Sequence, residues 1–324
     1  MKQRSSALRV GITAILFAAA LRFCAAGLPE KLRLGLSQQN IAAFFQYLET
    51  GRDVRFSLSQ KTFSPDFMES PPPVLPKPAE EALPTFSGED SVKLYYAVKK
   101  DPDIGALLAK PLEWNLQSEE PTVLILHTHS TESYTRKGED YVESSSWRTV
   151  DEDYNMLSIG RTVAKILEEN GICAVQDRQL YDYPSYNGSY TRAREALKAW
   201  LEEYQGIQLV LDLHRDASGG EKGQMRTVAQ VEGETSAQLM IVLGTNHEAY
   251  EENLSLGLKL HAQLEETYAG IMRPLQLRAQ RFNQDLSPGA LLVEVGAAGN
   301  SHGEARLAAK ALAEAIIALS RGTQ

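Results

Sequence analysis

An apolar run, PTVLIL, ends directly in His127, Thr128, His129, Ser130, Thr131 and Glu132. On an extended chain, residues two apart share a face, so His127 and His129 can point the same way. His129 and Glu132 stand at H-x-x-E spacing, which lets one loop present a nitrogen and an oxygen to one ion. A second apolar run, IQLVLDL, ends in His214 with Asp212, Arg215 and Asp216 beside it. Two ligands near each other in sequence and a third far away is a common layout for catalytic zinc, which keeps a further position open for water. His214 is therefore the expected distant ligand, and Asp212 or Asp216 can orient an imidazole through its second nitrogen. The blander reading is local packing of one histidine, Glu132 paired with Arg136, and His214 in a surface salt-bridge cluster.

A third segment, GALLVEVGAAGN, places Glu294 in an otherwise apolar strand. A buried carboxylate without a partner is costly. Near a metal the balance reverses, and such a group can take a proton from water and pass it to a leaving amine. The competing reading pairs it with Arg281. Arg281, Asn283 and Asp285 precede this strand and are candidates for binding substrate polar groups, as is His247, which follows the apolar run QLMIVLG. His261 falls mid-helix among charged neighbours and is expected to be solvated; His302 is placed to begin the last helix.

These residues need strands to carry them. Strand patterns fall at Val123–Leu126, Ile172–Val175, Leu209–Leu213, Met225–Val231, Leu239–Leu243 and Leu291–Val295, after an alternating SVKLYYAV near Ser91. Between them, Met156, Ile159, Val163, Ile166 and Leu167 repeat at helical spacing and stop at Gly171, with further helices expected over Thr191–Tyr204, Glu248–Tyr268 and Glu304–Ser320. Strands alternating with helices predict an α/β fold with a mostly parallel sheet and helices on both faces, in which ligands bind beyond the carboxyl ends of the strands. All three clusters lie there. No repeat of solenoid length occurs.

The chain has 324 residues, 43% hydrophobic and 23% charged, enough for one substantial core with appendages. A net charge of -9 argues against a nucleic-acid binder, which presents a basic stripe to phosphates. The two cysteines, Cys24 and Cys173, can form neither a disulfide framework nor a cysteine zinc site, so any metal is left to histidines and carboxylates. Residues 1–28 read as a membrane anchor or signal segment: Lys2, Arg4 and Arg9 precede an apolar stretch from Val10 to Leu28, interrupted by Arg22. With Ala25, Ala26 and Gly27, cleavage and secretion is the alternative. Either way the rest of the chain is expected outside the cytoplasm. Residues 29–60 carry a short amphipathic pattern (Ile41, Phe44, Phe45, Leu48). Residues 61–90, with SPPPVLPKPAEEALPTF, read as an extended proline-rich linker, and residues 91–324 as the folded domain.

Taken together, HTHSTESY, YNMLSIGRTVAKILEENGI, DLHRDA and RFNQDLSPGALLVEVG, with the N-terminal segment, resemble the stage II sporulation protein P family of endospore-forming bacteria, over most of the expected domain. That family is similar in turn to the zinc N-acetylmuramoyl-L-alanine amidases. The resemblance implies a zinc amidase/exopeptidase-like fold, Zn2+ as cofactor, His214 as a ligand and Glu294 as general base and acid. It leaves open whether His127, His129 or both bind the ion. The general amidases take their glutamate from just before the first helix, which here points to Glu152; this sequence offers Glu132 in the adjacent loop. The implied activity is a peptidoglycan hydrolase cleaving the amide between N-acetylmuramic acid and L-alanine during sporulation engulfment. By the same resemblance it acts from the membrane into the intermembrane space of the sporangium, with a lytic transglycosylase and a membrane partner. The alternatives are a zinc peptidase cutting within the stem peptide and a non-catalytic wall-binding assembly protein.

Overall fold

The first strand of the computed structural model, β1 (Leu94–Tyr96), lies at one edge of a seven-stranded sheet. The structure describes residues 94–96, 98, 100–134, 147–217, 219–220 and 223–322. All belong to one compact unit within Phe67–Gln324. The expected anchor, amphipathic segment and proline-rich linker lie outside the described residues, among which no helix is long and apolar enough to cross a membrane.

In chain order the elements are α1 (Ile104–Ala109), β2 (Val123–Leu126), α2 (Met156–Glu169), β3 (Ala174–Gln176), α3 (Ser189–Glu203) and β4 (Leu209–Asp216). They continue with β5 (Gly219–Gly220), β6 (Gly223–Gln224), β7 (Val228–Val231), β8 (Glu234–Ala237), β9 (Leu239–Gly244), α4 (Tyr250–Thr267), β10 (Leu275–Arg278), a 3-10 turn (Gln284–Leu286), β11 (Ala290–Ala297) and α5 (His302–Gly322). The sheet order is β1-β10-β9-β11-β4-β2-β3. β11, β4, β2 and β3 run parallel, as do β1, β10 and β9, but β9 pairs antiparallel with β11. The sheet is therefore mostly parallel, as the strand-helix alternation predicts, with one reversal in its middle.

Alternation along the strands sorts the two faces. Val123, Ile125, Leu209, Leu211, Leu213, Leu291, Val293, Ile241 and Leu277 turn to one face, where they share a core with apolar residues of α2, α4 and α5. Leu124, Leu126, Val210 and Ala290 turn to the other, under Ala193 and Leu197 of α3. Helices on both faces follow from strands whose two sides are both apolar. Asn155 begins α2 by accepting the Leu157 N–H at 2.9 Å, and Met156, Ile159, Val163 and Leu167 form its buried stripe. The helix ends before Gly171, whose φ of 81° suits the left-handed turn that glycine tolerates.

Three expectations need correction. Met225–Val231 is not a strand of the main sheet: β7 pairs only with β8, through Glu232 and Gly233, both at positive φ as a tight primed hairpin turn requires. His261 is 1% exposed rather than solvated, because α4 packs against both the sheet and α5 and turns His261 inward with Leu254, Leu258 and Leu264. β10 escapes sequence reading because LQLR is short and only Leu275 and Leu277 enter the main core.

The start of β11 is fixed by a close backbone approach. A Cβ at Gly289 would stand 1.8 Å from the Gln208 carbonyl oxygen, and the Gly289 carbonyl itself accepts the Val210 N–H at 3.0 Å. Gly289→Ala is expected to force β11 and β4 apart and cost about 3 kcal/mol or more, read as a lower urea midpoint. An unchanged midpoint would disprove the close approach.

Candidate functional site

β2, β4 and β11 are neighbours and parallel, so their carboxyl ends meet at one edge. Cα pairing sets Leu126 opposite Asp212 and Glu294 opposite His214. Because side chains alternate, Asp212, His214 and Asp216 share the face that carries Leu292 and Glu294. The loop leaving β2 is pinned onto this edge by Asp212, whose two oxygens accept the Thr128 N–H at 2.8 Å and the Thr128 hydroxyl at 2.7 Å. Its Oδ1 also lies 3.0 Å from His214 Nε2. A second buried carboxylate, Asp182, accepts the Thr131 hydroxyl at 2.6 Å and pairs with Arg148, holding the far side of the same loop.

The loop separates the two histidines that the sequence left as alternatives. His127 turns away: its Nδ1 lies 3.2 Å from the Leu213 carbonyl, and its Nε2 lies 2.9 Å from the Gln176 amide nitrogen. α2 presses on it at Gly160, where a Cβ would come within 2.5 Å of Nε2. His129 turns in. Its ring stacks on Tyr186 at 4.5 Å and meets His214 edge-on, with 5.2 Å between centroids. Tyr190 of α3 closes the third side, 5.5 Å from His129 and 6.4 Å from His214.

Glu132 joins this pair. One oxygen is 3.6 Å from His214 Nδ1 and accepts the Arg215 backbone N–H at 3.2 Å; the other faces Arg148 at 3.2 Å and the Arg215 guanidinium at 3.8 Å. Burial would raise its pKa, but Arg215, His214 and Arg148 overcome this and hold the carboxyl well below its usual range. Burial likewise disfavours a charged His214, yet Asp212 and Glu132 on its two sides drive its pKa well above the ordinary value. His129, buried and without such a sandwich, is pushed down to about 3 and is neutral near pH 7. Glu294 is pushed up to about 8, first by burial and then by the negative charge of Asp216.

The remaining candidates divide. Asp216 pairs with Arg273 at 2.7 Å beside Glu294. Asn283 donates to the Tyr190 carbonyl at 2.9 Å and so braces a ring that borders the histidines. His247 and Arg281 are not brought to this edge. β9 runs against β11, so the segment after β9 emerges where β11 begins, near Asp285 rather than near Glu294. Glu152 lies on the surface and pairs with Arg178. The sequence reading did not single out Arg148, Asp182, Tyr186 or Tyr190; the tyrosine-rich run YDYPSYNGSY was the available signal.

The donor chemistry fits zinc: a neutral imidazole, a second imidazole between carboxylates, and an ionised carboxylate. Among the described residues, His129 Nδ1, His214 Nε2 and Glu294 Oε2 are buried and find no hydrogen-bond partner, as atoms that face a ligand would be. The 3.0 Å contact of His214 Nε2 with Asp212 thus lacks hydrogen-bond alignment. Among the described residues no three His, Cys, Asp or Glu side chains stand converged in ligand geometry.

Stage II sporulation protein P of Bacillus subtilis (strain 168) is 29% identical over 209 residues, covering 60% of this chain and 50% of that protein, so the match spans half of that relative's length. Among solved structures, the CwlD amidase from Clostridioides difficile, in complex with the GerS lipoprotein, is similar at 13% identity and a TM-score of 0.41, covering 62% of this chain and 98% of its own. N-acetylmuramoyl-L-alanine amidase AmiC2 of Nostoc punctiforme is similar at 17% identity and a TM-score of 0.37, covering 63% and 97%. The sequence profile of the Stage II sporulation protein P family matches residues 74–317, and the chain belongs to that family.

Proposed function

We propose that the protein is a zinc-dependent N-acetylmuramoyl-L-alanine amidase acting on peptidoglycan during sporulation. The observation that carries this reading is the meeting of His129, Glu132 and His214 with Glu294 across the adjacent ends of β2, β4 and β11. His129, His214 and Glu132 would hold the ion. When bound, zinc supplies Lewis-acid polarisation of the lactyl carbonyl and lowers the pKa of the attacking water.

The chain's own residues supply the rest. Glu294, a stronger base than an ordinary carboxylate in this buried setting, accepts the water proton and delivers it to the alanine nitrogen as the carbon–nitrogen bond breaks. Water oxygen stays with the muramic acid as its carboxylate, and the stem peptide leaves with a free amine. Asp212 keeps His214 oriented while its grip on Thr128 keeps the His129 loop in place. Arg148 and Arg215 keep Glu132 ionised. In keeping with the family, we place the activity outside the cytoplasm, anchored through the N-terminal segment, alongside a lytic transglycosylase and a membrane partner.

The two histidines give opposite expectations. His129→Ala is expected to lose bound zinc, measured by elemental mass spectrometry of the purified full chain, with little change in thermal midpoint. His127→Ala is expected to keep its zinc and to unfold at lower temperature, because it leaves the Leu213 carbonyl and Gln176 without their partner. Zinc loss in His127→Ala alone would reverse the assignment.

Digestion of purified peptidoglycan by the zinc-loaded full chain is expected to release stem peptides beginning with alanine. Glu294→Ala should lower that release by about 10²- to 10⁴-fold, the usual contribution of a positioned acid-base group, while retaining its circular dichroism spectrum. Shortened stems still attached to sugar would instead identify a peptidase. No release from either protein, with zinc bound, would identify a wall-binding protein.

A further inference from the structure

The face of the sheet that carries Glu294 is covered unevenly. α3 packs over the β2–β4 side, through Ala193, Leu197 and the half-buried Ala196. On the other side, Met240 and Val242 of β9 and Leu292 of β11 form a small apolar floor with Phe282 against it. β10 continues this floor: Gln276 pairs with Val242 and Arg278 with Gly244, so both side chains stand on the Glu294 face, while Leu275 and Leu277 enter the core behind.

Arg278 is out of place as a structural residue. It is 7% exposed, yet among the described residues its Nε and Nη1 find no hydrogen-bond partner; only Nη2 is engaged, by the Gln276 side chain. Burial disfavours its charge, and Tyr95, Asp216 and Glu294, which favour it, act on it through space. Asp216 is already taken by Arg273. A buried guanidinium with two idle donors is costly unless a ligand supplies the acceptor, and a carboxylate supplies it best.

We propose that Arg278 is a specificity residue that binds a free carboxylate of the stem peptide, making the protein selective for acidic stems over amidated ones. The proposal rests on the peptidoglycan reading above, and it gives the peptide a path. The peptide leaves the Glu294 end of β11, crosses the Met240–Val242–Leu292 floor and meets Arg278 on β10. β9 lies between the two strands, which sets them about 10 Å apart. Arg278 also sits four residues along β9 from the level of Glu294, though its side chain turns back toward Gln276. An extended peptide advances about 3.3–3.6 Å per residue, so about four or five residues span the diagonal between the two backbones. The residue would touch substrate but take no part in proton transfer.

The test is calorimetric binding to the full chain carrying Glu294→Gln, which holds substrate without cutting it. The probes are a soluble muramoyl tetrapeptide with its carboxylates free and the same molecule with every carboxylate amidated. The acidic probe is expected to bind about tenfold to a hundredfold more tightly, as a charge-assisted contact predicts. Adding Arg278→Gln should erase that preference while leaving the affinity for the amidated probe unchanged, and Arg278→Lys should restore part of it. Equal affinities for the two probes before any change at Arg278 would overturn the proposal, whatever the variants' stability; so would binding of neither. The amidase reading fails separately, if the unmutated chain prefers the acidic probe but leaves it uncut.

Discussion

One buried carboxylate organises the site. Asp212 is 6% exposed in the middle of β4, and its two oxygens serve the Thr128 backbone, the Thr128 hydroxyl and the edge of His214. An ionised group in that position is tolerable because both of its oxygens accept hydrogen bonds and a histidine lies against it. Burial raises its pKa, while the positive charge of the adjacent His214 and the hydrogen bonds from Thr128 lower it further than burial raises it. Asp212 holds the loop that leaves β2 at Thr128, Asp182 holds it at Thr131, and Glu132 is tied to Arg148 and to the Arg215 N–H.

The electrostatics of the edge follow from that anchorage. His214 is caught between Asp212 and Glu132 and carries positive charge, so the site already concentrates a cation between two carboxylates. Arg148 and Arg215 stop Glu132 from drifting toward a neutral state, and Arg148 also lies over the Tyr186 ring that stacks on His129. Among the described residues no ion pair joins Glu294 to a cation; facing Asp216 instead, it keeps its proton to higher pH than a free carboxyl. Two glutamates on either side of the same imidazole are thus pushed in opposite directions by their neighbours. That division suits one to a permanent charge and the other to moving a proton.

The reversal between β9 and β11 decides which side chains can take part. In a wholly parallel sheet the segment after β9 would emerge beside Glu294 and bring His247 with it. Here it emerges at the opposite edge, and the space beside β11 is given to Met240, Val242 and the β10 side chains. There Arg278 stands buried, with two donors that find no hydrogen-bond partner among the described residues.

Much of this was legible in the sequence, because it depends on local pattern. Apolar runs that stop at His127, at His214 and around Glu294 announce strands with chemistry at their carboxyl ends, and the 3.6-residue rhythm of Met156 to Leu167 announces α2. Sequence alone also joined these segments into a family, since motif order survives without coordinates. What it could not decide is anything set by contacts across the sheet. His127 and His129 are two residues apart and equivalent by spacing; only packing under Gly160 and the Leu213 carbonyl turns one into the interior and leaves the other facing His214. Glu132 and Glu152 were both plausible until Arg178 drew Glu152 to the surface. The direction of β9, the burial of His261 and the idle guanidinium of Arg278 have no local signature, because each depends on which strand or helix lies alongside, and that is settled only when the whole chain has packed.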